Sequence, residues 1–182
     1  MVNDINLENL KFPIGRFEKP DVISENEIKV WIEIIESFPD KIKKLTHPLT
    51  KKELNWIYRP QGWSIKQVVH HCADSHMNSL IRFKLALTEE IPIIKPYKEA
   101  NWAELSDGNS DNIYPSIQII EGVHSRWSFL LKNCNKSDLM KKFIHPENNK
   151  IYSLEEVIGV YAWHCKHHLA HIELAITNKG EF

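Results

Sequence analysis

The stretch SLEEVIGVYAWHCKHHLAHIELAITN, residues 153–178, decides the reading of this chain. Leu154, Val157, Ile158, Tyr161, Leu169, Ile172 and Ala175 recur at helical spacing, which marks one apolar face of an α-helix. Ser153 and Glu156 stand where a helix is capped at its start, and the pattern ends near Asn178. Four histidines, His164, His167, His168 and His171, fall within eight residues of this helix.

Three more amphipathic helices precede it. Ser24 with Glu27 forms a capping box, followed by Ile28, Trp31, Ile32, Ile35, Phe38, Ile42 and Leu45 at helical spacing; Pro39 is expected to kink that helix. Ser64 with Gln67 opens the next, with Trp63 and Val68 placed as a hydrophobic staple, and it is expected to run to about Leu87. Its stripe is Ile65, Val68, Val69, Cys72, Leu80 and Phe83. Pro115 suits the first turn of the third, which carries Ile117, Ile120, Val123, Trp127, Leu130 and Leu131.

Between these lie a connection at 46–62, with a short helical turn expected at 50–55, and a long irregular stretch at 89–114 of the kind that covers a functional surface. Residues 143–152, with Pro146 and the Asn148–Asn149 pair, read as a small hairpin before the last helix. Residues 1–22, with Pro13, Gly15 and Pro20, read as an extended arm, and residues 23–182 as one domain. The fold class expected is all-α, a four-helix bundle with long crossover connections.

Composition narrows the function. In 182 residues, 42% are hydrophobic and 26% charged, an ordinary globular balance. The formal net charge of −1, spread without a basic block, gives no footprint for nucleic acid or anionic lipid. No apolar run approaches the roughly 20 residues that span a bilayer, and the N-terminus lacks the pattern of a signal peptide, so a cytoplasmic protein is expected. Cys72, Cys134 and Cys165 form no CxxC pair and suit a reducing compartment.

Histidine is the anomaly. Of ten, seven fall in two windows, His70, His71 and His76 in one and the four of the last helix in the other. Side chains four apart on a helix share a face, so His164 with His168 and His167 with His171 each offer two imidazoles to one ion. With Val157 at the centre of the apolar face, the first pair points to the core and the second to its flank, and the wheel leaves the choice open. His70 and His71 diverge by about 100°, so at most one of them is expected to face the site. Three neutral nitrogens with open positions describe a catalytic metal site, because structural zinc takes four protein ligands.

Other chemistries fit less well. His168 follows His167 where an HExxH protease needs glutamate. Cys165 as nucleophile lacks an orienting partner. Asp74, His76 and Asn78 are weak candidates for orienting a ligand or for catalysis, while Trp63 and Trp163 flank the histidine windows as pocket walls. Arg59 and Arg82 are candidates to meet an acidic substrate or to pair at the surface.

The run Gly62-Trp63-Ser64-Ile65-Lys66-Gln67-Val68-Val69-His70-His71-Cys72-Ala73-Asp74-Ser75-His76-Met77-Asn78 resembles the YfiT-like metal-dependent hydrolases of the DinB superfamily. Residues Ile81-Arg82-Phe83-Lys84, Tyr161 to Ile172, the opening Phe12-Pro13-Ile14-Gly15, Tyr58-Arg59 and His145-Pro146 extend the likeness over nearly the whole chain, with Cys72 and Cys165 as departures. The resemblance implies a homodimeric bundle holding zinc or nickel. It implies His71, His167 and His171 as the ligands, so that removing His164 would leave the metal in place. It also implies either hydrolysis of an amide or ester, or transfer of a low-molecular-weight thiol such as bacillithiol to an electrophile. A non-catalytic metal-binding stress protein is the third reading.

Overall fold

A computed structural model describes residues 7–147 and 149–182. Its elements are α1 (Leu7–Lys11), α2 (Glu25–Thr46), a 3-10 turn (Glu53–Asn55), α3 (Ile65–Thr88), α4 (Glu99–Trp102), α5 (Tyr114–Lys132), α6 (Lys136–Leu139), β1 (Lys142–His145), β2 (Lys150–Ser153) and α7 (Leu154–Thr177). The four long helices are those expected.

Local chemistry sets their starts. The backbone N–H of Glu27 donates to Ser24 Oγ at 3.2 Å while the Ser24 N–H donates to the Glu27 carboxylate at 2.7 Å. Ser64 and Gln67 repeat the reciprocal pair on α3. The third start differs from expectation. Ser153 Oγ accepts from the Glu156 N–H, but the Glu156 carboxylate turns away and takes Lys150 Nζ at 2.8 Å and Lys19 Nζ at 3.3 Å. A side chain 5% exposed thus ties the hairpin and the arm to α7, a pairing the local sequence does not announce.

Packing pairs α2 with α5 and α7, and α3 with α5 and α7. Hence α2 faces α3 across the core, and the chain must cross the bundle between them, which accounts for the long connection at 47–64. Ile35, Phe38, Val69, Phe83, Ile120, Trp127, Ile158 and Ile172 fill the centre, each at most 2% exposed. Each such side chain contributes about 1.5–3 kcal/mol of transfer free energy. α2 runs unbroken through the buried Pro39. Proline has no N–H to give the carbonyl four residues earlier, so the carbonyl of Ile35 is left without its helical bond.

The hairpin is antiparallel, with Phe143 opposite Tyr152 and Ile144 opposite Ile151; Asn148, expected at its tip, lies outside the described residues. The stretch expected to be irregular at 89–114 contributes α4 and an extended segment, whose Ile94 N–H donates to the Ile144 carbonyl at 3.0 Å. The arm also differs from expectation. Its first described residues are helical, and Trp163 Nε1 of α7 donates to the carbonyl of Gly15 at 3.0 Å. Among the described residues, no helix is long and apolar enough to cross a membrane.

Candidate metal centre

α3 and α7 lie side by side with their histidines facing one another. His71 Nε2 stands 3.3 Å from His164 Nε2, and His168 Nε2 stands 3.2 Å from the same atom. In a tetrahedral site with metal–nitrogen bonds of about 2.05 Å, ligand nitrogens are separated by about 3.3 Å. The two edges that meet at His164 therefore already have the length that zinc-like coordination requires, and all three ligand atoms lie within 4.8 Å of one another.

The ligand set implied by the resemblance, His71 with His167 and His171, is not the group the fold brings together. His167 lies flat against Trp163, ring centroids 4.3 Å apart, and stacks on Phe12; its Nδ1 is buried without a hydrogen-bond partner among the described residues. His171 stacks on Tyr58 at 3.8 Å, and its Nε2 donates to the carbonyl of Lys11 in the arm at 3.1 Å. The physical reason is that His164 and His168 point inward toward α3 whereas His167 and His171 lie on the flank that the arm covers. Among the described residues the convergent group is His71, His164 and His168.

The second histidine of the α3 window is the one that converges. His70 faces the other way, donating from Nε2 to the Ser110 carbonyl at 2.9 Å and accepting at Nδ1 from Ser116 Oγ at 2.7 Å. It pins the long connection over α3, as do Gln67 Nε2 to the Ala103 carbonyl at 3.1 Å and Lys66 to Asp111 at 2.8 Å.

Behind the convergent group lies a second one. His76 Nε2 is 3.0 Å from His164 Nδ1, His76 Nδ1 is 2.6 Å from His124 Nε2, and His124 Nδ1 donates to the Ile35 carbonyl at 2.5 Å. Cys165 is within reach of both rings but fully enclosed, and burial pushes its thiol well above the ordinary value. That state does not suit a nucleophile. Both nitrogens of His76 and of His124 are spent on protein partners. His124 was not singled out in the sequence, since a lone histidine on an apolar helix face carries no visible signal. Asp74, held up at about 6 by burial and then by Asp107, belongs to neither group and does not line the cavity described next.

Burial keeps the imidazoles neutral, as metal ligation requires. It lowers His71 to about 4, with His167 adding to the effect, and drives His164 and His168 well below the usual range. The three rings form part of the wall of a cavity of about 390 Å³, shared with His167, Trp63, Trp163, Arg82, Glu99 and His145. A larger groove of about 580 Å³, between Ile28, Ile32, Leu131 and Leu139, contains no histidine.

The DinB superfamily profile matches residues 34–172. The chain belongs to the DinB superfamily. It is 43% identical over 164 residues to the "Putative metal-dependent hydrolase YfiT" of Bacillus subtilis, covering 90% of this chain and 92% of that one. An Oceanobacillus iheyensis relative of the same description is 48% identical over 164 residues, 90% and 94% of the two chains. The solved structure of the Bacillus subtilis protein, described as a probable metal-dependent hydrolase with an unusual four-helix bundle topology, superposes with a TM-score of 0.90 at 42% identity. That superposition covers 94% of this chain and 98% of the other. Membership of this superfamily, together with the convergent histidines, makes a metal-dependent protein of the DinB type the coarse description of this chain.

Proposed function

We propose that this chain is an enzyme in which His71, His164 and His168 hold zinc or nickel, and that it transfers a low-molecular-weight thiol of the bacillithiol kind to an electrophilic substrate. The observation that carries the reading is the convergence of three neutral Nε2 atoms on a cavity wall rather than inside a sealed core. A divalent ion held there supplies a lowered pKa to a thiol or water bound at its open position.

The residues around the cavity suit a thiol and an apolar partner. Trp63 and Trp163 offer flat hydrophobic walls. Arg82 makes one long bond, to the Lys95 carbonyl at 3.4 Å, and its Nε, like Nδ1 of His145, is buried without a partner. The Arg82 guanidinium, a fixed donor, suits a polar or anionic part of the thiol. Hydrolysis of an amide or ester is the second reading, favoured by Glu99. Its carboxyl lines the cavity and is raised by burial, with Arg82 opposing, as a general base requires. A homodimer is the assembly proposed, and sedimentation tests it.

The deciding experiment measures metal by mass spectrometry on protein purified without a metal-affinity tag, then assays conjugation and ester hydrolysis before and after chelation. Bound metal with chelator-sensitive conjugation supports the transferase. Metal with hydrolysis alone supports the second reading, and metal with neither leaves a binding protein. Absence of metal, with no uptake of added zinc or nickel, removes all three.

A further inference from the structure

We propose that two backbone carbonyls, of Ile35 and of Lys11, set the proton positions of His164 and His168 through chains of histidine, and that His124, His76 and His171 are therefore positioning residues for the centre. The inference goes beyond the proposed function and concerns the protein's own tautomers.

A hydrogen bond to a backbone carbonyl has only one possible direction. A carbonyl oxygen accepts and never donates, so His124 carries its proton on Nδ1, toward Ile35 at 2.5 Å. A neutral imidazole has one N–H, which leaves His124 Nε2 as an acceptor. His76 must then donate from Nδ1 across 2.6 Å, leaving its own Nε2 to accept from His164 Nδ1 across 3.0 Å. The consequence at the end of the chain is that His164 Nε2 holds a bare lone pair directed at His71 and His168.

The second chain runs by the same logic. His171 donates from Nε2 to the Lys11 carbonyl at 3.1 Å, so its Nδ1 accepts from His168 Nδ1 at 3.4 Å. His168 Nε2 is thereby also bare. Two acceptors then face one another at 3.2 Å, an arrangement that repels unless a cation lies between them. The Ile35 carbonyl is free to anchor the first chain because Pro39 withholds the N–H that would otherwise take it. The Lys11 carbonyl comes from the arm, which also meets α7 at Gly15–Trp163 and Phe12–His167.

Proton-detected nitrogen-15 spectra of the imidazoles in the full-length, metal-free protein test this directly. The expected tautomers are Nδ1–H at His124, His76, His164 and His168, and Nε2–H at His171. An Nε2–H form at His76, His164 or His168 overturns the proposal. His124→Phe keeps a flat ring beside Phe38 but removes both nitrogens; zinc is expected to bind about 10- to 100-fold more weakly, with His164 shifting toward Nε2–H. His124→Gln retains a donor for Ile35 and an acceptor for His76, and is expected to restore most of the affinity and the Nδ1–H form. Equal loss in both variants, or no loss in the Phe variant, overturns it. Should His124→Phe fail to fold, the wild-type spectra still decide. The expected tautomers without any zinc uptake would defeat the metal reading alone, so the two failures are distinguishable.

Discussion

Two groups of buried histidine lie back to back in this bundle and differ in how their nitrogens are spent. In the sealed group His76 and His124 have both ring nitrogens partnered, and Trp127 and Phe38 close around them. In the open group His71, His164 and His168 turn Nε2 atoms on one another beside a cavity. The residue type is the same, but the sealed rings are 0% and 1% exposed, whereas His71 and His168 are 5% and 6% exposed and His164 is only partly buried. Partnered nitrogens make a buried cluster part of the scaffold, and spared ones make it a place for a cation.

The comparison breaks most readily at α7. His164→Ala or His168→Ala is expected to reduce bound zinc from about one ion per chain to almost none, whereas His167→Ala keeps most of it, read by mass spectrometry after loading and gel filtration. Loss from His167→Ala with retention in His168→Ala would invert the roles of the two pairs. The next largest effect concerns the sealed side. Trp127 is fully buried against Phe83 and Tyr161, with ring centroids 5.3 and 5.2 Å away, and Trp127→Ala should cost about 3–5 kcal/mol in urea unfolding. A cost below about 1 kcal/mol would mean that this wall is not load-sharing with the core.

Acid sharpens the contrast. His71 and His124 are both lowered by burial to about 4 in the folded chain, while an unfolded histidine titrates near 6.5. Between those values the unfolded chain binds more protons, so the stability of metal-free protein is full above about 6.5 and falls as pH drops toward 4, by at most about 1.4 kcal/mol per unit for each histidine. Urea midpoints across that range should show the slope, and a flat profile would mean that the rings are accessible to protons in the folded state. The smallest effect belongs to local structure. Ser64→Ala removes one half of the α3 capping box and should cost about 1 kcal/mol in a thermal melt, with zinc content unchanged.

Much of the scaffold was legible in the chain. Ser24 with Glu27 and Ser64 with Gln67 marked two helix starts because capping is decided within four residues. Apolar periodicity supplied the rest of the bundle, and the turn chemistry around Pro146 supplied the hairpin. The two histidine windows located the site. Choosing between His164 with His168 and His167 with His171 was beyond local pattern, because both pairs have the same spacing and the arm that covers one flank comes from 160 positions away. The likeness to the family carried the choice to the flank pair, and the packing of α7 on α3 places the other pair at the centre. His124 was invisible for the same reason: its significance lies in a carbonyl on α2, 89 positions distant.

Those sequence separations bear on how the molecule comes to exist. His71 meets His164 across 93 positions, Gly15 meets Trp163 across 148, and Lys11 meets His171 across 160. Contacts between such distant parts of a chain form after local helices, because the loop-closure entropy must be met first. The nitrogen cage is thus assembled with the packing of α3 on α7 and not before it, and an isolated helix offers an ion at most two of the three rings. A cation that needs all three rings at once is therefore a ligand of the assembled bundle and not of any one helix.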